Sequence, residues 1–215
     1  MGVDMLEADV WPFLGRLEVR HAKSIGPIPI YWEKWYIESI GMRQPVLQDV
    51  LTSTPVSARL FLDLKGRQPQ LGHRVVSLIQ RVQPDRDIII CGRAWRQLNR
   101  IADMENVHVF YSVGEESELA NVWSRLERSA RPAISINHGL LTDETIARLQ
   151  ALNTTIIAWT VNDPDLAGTL FERGVDGFTS DNLAMLQDIV TRRENAFHAA
   201  VEVDLPDEPE ATSKD

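Results

Sequence analysis

The sequence contains a single cysteine, and this scarcity excludes several kinds of site. Cys91 can form neither a disulfide within the chain nor a metal site built from several thiolates. It directly follows the isoleucines at residues 88–90, a setting typical of a buried core thiol rather than of a nucleophile. The chemistry of this protein is therefore expected to rest on carboxylates, histidines and cations.

Long hydrophobic runs and an excess of basic residues are also missing. No apolar run approaches the roughly 18–20 residues that a membrane-spanning helix needs. The start of the chain shows neither the basic nor the apolar region of a signal peptide. We therefore expect a cytoplasmic protein without a transmembrane segment. The formal net charge of -9 provides no electrostatic footprint for nucleic acid, so no nucleic-acid partner is expected.

The acidic residues are unevenly distributed. Residues 202–215 contain six acids and one lysine and are punctuated by prolines, a composition typical of disordered segments. We expect residues 199–215 to form a disordered acidic tail and residues 1–198 to form one folded domain. The content of 44% hydrophobic and 25% charged residues is ordinary for a globular protein, and the sequence leaves the oligomeric state open.

Short apolar runs alternate with amphipathic helical patterns along this domain. Strands are predicted at residues 5–10, 16–21, 59–65, 87–92, 107–113, 133–137, 155–161 and 177–181, and helices at 71–82, 142–153, 163–174 and 182–196. Nearly continuous apolar strands between helices indicate an α/β fold with a parallel sheet, either doubly wound or a (βα)8 TIM-type barrel. If residues 16–21 extend the first unit, about seven units remain, one fewer than a (βα)8 barrel requires.

Carboxylates recur near the ends of two predicted strands. Because side chains alternate along a strand, Glu7 and Asp9 share one face of the first strand. Asp63 and Lys65 share one face of the strand at residues 59–65 for the same reason. The three carboxylates could hold Mg²⁺ or Ca²⁺, and Lys65 could hold a phosphate oxygen as a point charge. The alternatives are solvated acids on a frayed edge strand and a purely structural Asp63–Lys65 ion pair.

Two further side chains are candidates for a site at the strand ends. His21 closes the predicted strand at residues 16–21 and could protonate a leaving alkoxide, since an imidazole can be poised near neutral pH. Trp159 lies in the predicted strand at residues 155–161 and could wall the mouth of a barrel against an alcohol moiety. A structural or surface histidine and a tryptophan of the core are the competing interpretations.

Together these segments resemble the glycerophosphodiester phosphodiesterases, from Gly2 to about Ile189. The most specific parts are residues 158–162 and 174–181, because the spacing of Trp-Thr-Val-Asn to Gly-Val-Asp-Gly is characteristic of that family. The other parts are residues 2–10, 17–21 and 62–65. The resemblance implies a TIM-type barrel that functions in lipid metabolism by hydrolysing glycerophosphodiesters to glycerol 3-phosphate and an alcohol.

The resemblance also implies a role for each candidate residue. Glu7, Asp9 and Asp63 match the carboxylates that bind a divalent cation, Mg²⁺ or Ca²⁺. His21 matches one of two histidines that act as general acid and base, and Lys65 matches a lysine that contacts phosphate. The implied partner is a small-molecule phosphodiester.

The sequence departs from the family pattern at its start. The family begins with a strand bearing His-Arg-Gly and a Pro-Glu-Asn turn, and neither occurs here. The usual His-Asp is His21-Ala22, and the usual Glu-x-Lys ends at Lys65 but begins with Asp63. We therefore expect an N-terminally truncated member whose barrel lacks its first βα unit and whose activity is impaired. A non-catalytic remnant that binds phosphodiesters and an unrelated barrel with strand-end anion sites are the rival hypotheses.

Overall fold

The computed structural model describes residues 2–25, 27–33 and 36–203. They form two compact units, one spanning Asp4–Asp181 and the other containing the segment from Asn182 together with the first residues of the chain. A helix that extends to Val203 makes up most of the second unit. The expected acidic tail therefore lies outside the described residues from position 204 onward. Within the described part of the chain, no helix has the length and hydrophobicity that a bilayer crossing requires.

The described chain begins with strands and continues with alternating strands and helices. The strands are β1 (Met5–Phe13), β2 (Arg16–Val19), β3 (Lys23–Ile25), β4 (Ile28–Glu33), β5 (Tyr36–Ile40), β6 (Arg59–Leu64), β7 (Ile88–Gly92), β8 (Val107–Val113), β9 (Ala133–Asn137), β10 (Thr155–Trp159) and β11 (Gly177–Phe178). The helices are α1 (Leu47–Ser53), α2 (Leu71–Val82), α3 (Trp95–Leu98), α4 (Glu116–Leu126), α5 (Asp143–Ala151), α6 (Pro164–Glu172) and α7 (Leu183–Val203).

One sheet of eight strands forms the centre of the larger unit. Its order is β11-β10-β9-β8-β7-β6-β1-β2, and every neighbouring pair is parallel except the β1–β2 hairpin at one edge. Seven strands are thus parallel, which confirms the predicted α/β class. The sheet is open, because among the described residues no ladder joins β11 to β1.

Some elements differ from the sequence-based expectation. Residues 23–25, 28–33 and 36–40, for which no strand is predicted, form a separate antiparallel sheet in the order β3-β4-β5. The helices α1, α3 and α4 are also additions to the prediction. The strand predicted at residues 16–21 ends at Val19, the last of these residues to pair with β1, where it lies opposite Val10. His21 therefore follows the strand instead of closing it.

The parallel strands have two buried faces. One face contributes the fully buried Leu62, Ile90 and Ile136. The opposite face contributes an apolar cluster in which the rings of Phe61 and Phe110 meet edge to face at 5.2 Å. The other members of this cluster are Ile89, Cys91, Ala133 and Ile157, with Met5 against its margin. Burial on both faces is typical of parallel sheets, and the expectation of a buried core thiol at Cys91 is confirmed.

The small β3–β5 sheet is held to the β1–β2 hairpin by a buried arginine. Arg20 bonds through Nε to a Glu18 carboxylate oxygen at 2.9 Å. Its guanidinium carbon lies 5.0 Å from the ring centre of Trp11 and 4.9 Å from that of Tyr31. A buried cation is tolerated only when it is paired and bonded in this way. The arrangement fixes the small sheet beside the carboxyl end of β1.

A second buried arginine gives a test of the fold. Arg86 is 3% exposed and donates to the carbonyl oxygens of Thr54 at 3.0 Å, Pro55 at 2.7 Å and Ala58. Arg86→Met keeps the stem but leaves these carbonyls without their donor, so unfolding free energy should fall by about 3 kcal/mol. Urea denaturation measures the change. The exposed Arg81→Met on α2 is the control, with an expected change below about 0.5 kcal/mol. Equal losses in both variants would contradict the assigned role.

Candidate active site

Three carboxylates converge where β1 and β6 run side by side. The register of these strands pairs Asp9 with Asp63 and Glu7 with Phe61, and alternation turns Glu7, Asp9 and Asp63 to the same face. One carboxylate oxygen from each lies within 4.8 Å of the other two. Oxygens bound to one Ca²⁺ ion lie at most about 5 Å apart, twice the Ca–O distance. The donor set therefore fits a hard divalent cation by both chemistry and spacing.

The carboxylates repel one another in the absence of a cation. Burial raises the pKa of Glu7 to about 8, and repulsion from Asp9 and Asp63 acts in the same direction, while Lys65 lowers it. Glu7 as a whole residue is exposed, but its carboxylate lies against those of Asp9 and Asp63. Asp9 is the most enclosed of the three, with 9% of its surface exposed. A divalent cation at this point would relieve both the repulsion and the loss of hydration.

Lys65 supplies the positive charge nearest to these acids. Its ammonium nitrogen lies 3.1 Å from Oδ1 of Asp9 and also contacts a carboxylate oxygen of Asp63. Burial by itself would lower the pKa of Lys65, but the two carboxylates outweigh it and raise the pKa above the ordinary value. The backbone N–H of Lys65 donates to the carbonyl of Val10 at 2.9 Å, which fixes the residue just past the end of β6. Lys65 thus forms the ion pair with Asp63 that was one of its two interpretations. This position does not exclude the other interpretation, a contact with phosphate.

His21 joins this group from the other side of β1. Its Nε2 lies 4.0 Å from Oδ2 of Asp9, and its Nδ1 lies 3.2 Å from Oε2 of Glu33 on β4. The Arg20 backbone N–H donates to the Asp9 carbonyl at 3.1 Å, which ties the start of this loop to β1. The imidazole is 71% exposed and is therefore open to a ligand.

Glu33 is the residue of this group that sequence reasoning missed. It is contributed by a sheet that the sequence pattern did not predict, and no motif links it to His21. The visible signal is the short run of apolar and aromatic residues in 28–32, a composition that is typical of strands. A carboxylate on one imidazole nitrogen fixes the ring and its tautomer, so Glu33 is placed to turn Nε2 of His21 towards Asp9.

Trp159 lies at the carboxyl end of β10, beside Asn137 of β9 in the register. By alternation it shares the face of Ile157, which belongs to the apolar cluster around Phe61. This face also carries Glu7, the register partner of Phe61, and is called the inner face. A methyl group built on Gly114 would come within 3.2 Å of the Trp159 ring, so the glycine makes room for this packing. The indole nitrogen is buried and has no hydrogen-bond partner among the described residues. Trp159 therefore lines the inner face, several strands from the acids.

Comparison with known families gives a match over more than half of the chain. A model of the glycerophosphoryl diester phosphodiesterase family matches residues 49–185. Asp63, Lys65 and Trp159 lie inside this stretch, whereas Glu7 and His21 precede it. A relative from Mycobacterium tuberculosis, named probable glycerophosphodiester phosphodiesterase 2, is 25% identical over 167 residues, or 71% of this chain. The aligned part spans 62% of that relative's own length.

Solved structures of similar fold cover nearly the whole chain. A phosphodiesterase from Oleispira antarctica in complex with the product sn-glycerol-3-phosphate has a TM-score of 0.68 at 16% identity, covering 88% of this chain and 86% of its own. A glycerophosphodiester phosphodiesterase from Thermotoga maritima has a TM-score of 0.68 at 15% identity, with coverages of 87% and 86%. At these identities the likeness concerns the fold.

Proposed function

Because the chain belongs to the glycerophosphoryl diester phosphodiesterase family, we propose that it hydrolyses glycerophosphodiesters to glycerol 3-phosphate and an alcohol with a divalent cation, Mg²⁺ or Ca²⁺. The observation that carries this proposal is the clustering of three carboxylates, a lysine and a histidine where β1 runs beside the carboxyl end of β6. Active sites of βα barrels lie at this end of the strands. The product seen in the Oleispira antarctica structure supports the same chemistry here.

Glu7, Asp9 and Asp63 would hold the cation, which supplies charge neutralisation at the phosphoryl oxygens when it is bound. Lys65 adds a second positive charge beside Asp9 and Asp63. Its ammonium would exchange one carboxylate partner for a phosphate oxygen when the cation binds those acids. The negative phosphodiester is thereby drawn to a point that otherwise carries excess negative charge.

His21 would protonate the alkoxide that leaves as the P–O bond breaks. In this step a water oxygen bonds to phosphorus as the P–O bond to the alcohol breaks, and the alcohol departs with the proton from Nε2. The attacking water gives one proton to solvent, the imidazole takes one back from solvent, and glycerol 3-phosphate remains. Glu33 stabilises the imidazolium and holds the ring through Nδ1. Trp159 would wall the inner face against the glycerol or alcohol group.

The activity of the chain is proposed to be low. Water must be activated by one group while another protonates the leaving oxygen, and each such group contributes roughly 10²–10⁴-fold. Among the described side chains, His21 is the only histidine with an ion contact to an acid of the cluster. The same observation favours the second candidate function, a family member that binds phosphodiesters without turnover.

Release of glycerol 3-phosphate tests the proposal. The 215-residue chain is incubated with glycerophosphocholine in Ca²⁺, in Mg²⁺ and with a chelator, and the product is measured by a coupled enzymatic assay. We expect slow release that depends on a cation. Metal-dependent binding without release would favour the binding function, and neither binding nor release would contradict both.

A further inference from the structure

The small β3–β5 sheet presents an apolar face to solvent. Strand pairing places Ile25 opposite Ile28 and Ile30 opposite Ile40, while Ile37 lies opposite Trp32. These five isoleucines are called the isoleucine face. Four of them, all but Ile30, are between 49% and 67% exposed. Isolated exposed apolar side chains are ordinary, but a contiguous group of this kind marks an interaction site.

The other face of the same sheet is already covered. Tyr31 alternates with the isoleucines along β4, is 1% exposed and meets the ring of Phe13 at 6.0 Å. Arg20 packs on the same Tyr31 ring. Among the described residues, the sheet therefore has one side packed against the rest of its unit and one side exposed to solvent.

The isoleucine face begins beside the candidate active site. Glu33, which contacts His21, directly follows Trp32 on β4. The ammonium of Lys23 lies 5.6 Å from the ring centre of Trp32, so a cation and an indole border the face on this side. Indole rings and lysines of this kind favour the boundary between apolar and polar regions of a lipid layer. By alternation Glu33 itself lies on the covered side of β4 with Tyr31, so the isoleucine face and the site adjoin at the edge of this strand.

A second copy of the chain is a poor fit to this face. Stable protein interfaces use about 20–30 residues on each side, whereas this face offers the five isoleucines with Lys23 and Trp32. Attachment to a lipid layer requires less, because binding grows with each apolar side chain inserted. Residues 1–201, without the acidic tail, still carry a formal net charge of -4, which opposes an anionic layer and favours a zwitterionic one.

We propose that the isoleucine face docks the protein onto zwitterionic lipid surfaces. Docking is independent of turnover, so it holds whether the chain is a hydrolase or a binding protein.

Flotation with phosphatidylcholine vesicles tests the proposal directly. The full chain should float with the vesicles, and the double variant Ile37→Ser/Ile40→Ser should bind about tenfold more weakly because two inserted side chains are lost. Val56→Ser removes an apolar side chain of similar exposure, 47%, outside the small sheet and should bind like the unchanged protein. Circular dichroism melting checks that all three chains are folded.

The remaining arms exclude other partners. Vesicles containing phosphatidylserine should bind no more tightly than pure phosphatidylcholine. Failure of the unchanged chain to float, equal binding by the double variant, or a requirement for the anionic lipid would overturn the proposal. Sedimentation equilibrium without lipid should give a monomer, and a dimer that the double variant dissociates would assign the face to a second copy instead. None of these readouts depends on hydrolysis, so they stand apart from the activity assay.

Discussion

Asp63→Asn is expected to weaken Ca²⁺ or Mg²⁺ binding by about 100-fold, or ~2.7 kcal/mol. The asparagine keeps the shape and one oxygen of the aspartate but removes a full negative charge within a few ångströms of the cation. At 4 Å even two single charges interact by about 4 kcal/mol near a protein surface, so a loss of this size is moderate. Because Asp63 lies opposite Asp9 in the register, the remaining carboxylates should keep their positions.

Isothermal titration of the metal-free chain with Ca²⁺, and separately with Mg²⁺, measures this effect. Asp85→Asn removes an exposed carboxylate outside the cluster and should leave both affinities within about twofold, since distant exposed charges are screened by salt. Metal-dependent release of glycerol 3-phosphate should fall with the affinity. An unchanged affinity in Asp63→Asn, or no divalent binding by the unchanged chain, would remove the proposed metal site.

Strand alternation is the reason that the acid cluster could be predicted from sequence. Glu7 and Asp9 are two residues apart, as are Asp63 and Lys65, and a period of two puts each pair on one face whatever the surrounding fold. Parallel neighbours then bring the pairs together at one end of the sheet. The structure places Asp9 beside Asp63 with Lys65 in contact with both. Strand alternation and the common direction of parallel strands were therefore sufficient to predict that these acids and Lys65 lie together.

The position of His21 depends on contacts that local patterns do not contain. The residue was expected to close a strand, yet the β1–β2 pairing ends at Val19. The imidazole of His21 instead lies between Asp9 and Glu33. Glu33 follows His21 by twelve residues in the sequence. That contact exists only because a separate sheet is anchored there by Arg20. Long-range packing of this kind leaves no spacing signature that a single sequence reveals.

Some of the missed elements did carry a signal. α4 has Leu119, Val122 and Leu126 at helical spacing, and the last two are fully buried. Residues 28–32 form a short run rich in isoleucine and aromatic residues, which favours a strand. The short α3 has only four residues, and a single turn gives too little periodicity to identify. The open edges of the main sheet, in contrast, agree with the count of about seven βα units.

Turnover is where the second large effect is expected. The 215-residue chain should release glycerol 3-phosphate slowly. Among the described residues, His21 is the only histidine that contacts the acid cluster, so one imidazole must serve both proton transfers. A chain extended at its N-terminus by a βα unit bearing His-Arg-Gly and Pro-Glu-Asn would supply a second histidine and further phosphate contacts. Such a group adds roughly 10²–10⁴-fold, and better positioning of the substrate adds more. Turnover by the extended chain should therefore rise by orders of magnitude.

His21→Ala in the extended chain should then lower kcat by about 10²–10⁴-fold, since the leaving alkoxide loses its proton donor. The imidazole is 71% exposed, so the free energy of unfolding should change by less than about 0.5 kcal/mol. The effect should shrink for substrates whose alcohol is a good leaving group, such as a nitrophenyl phosphodiester, because such an alkoxide departs without protonation. His73→Ala, at an exposed position on α2, is the matched control and should retain full activity. Full turnover by the 215-residue chain, none by the extended chain, or an equal loss for both classes of leaving group would contradict the role assigned to His21.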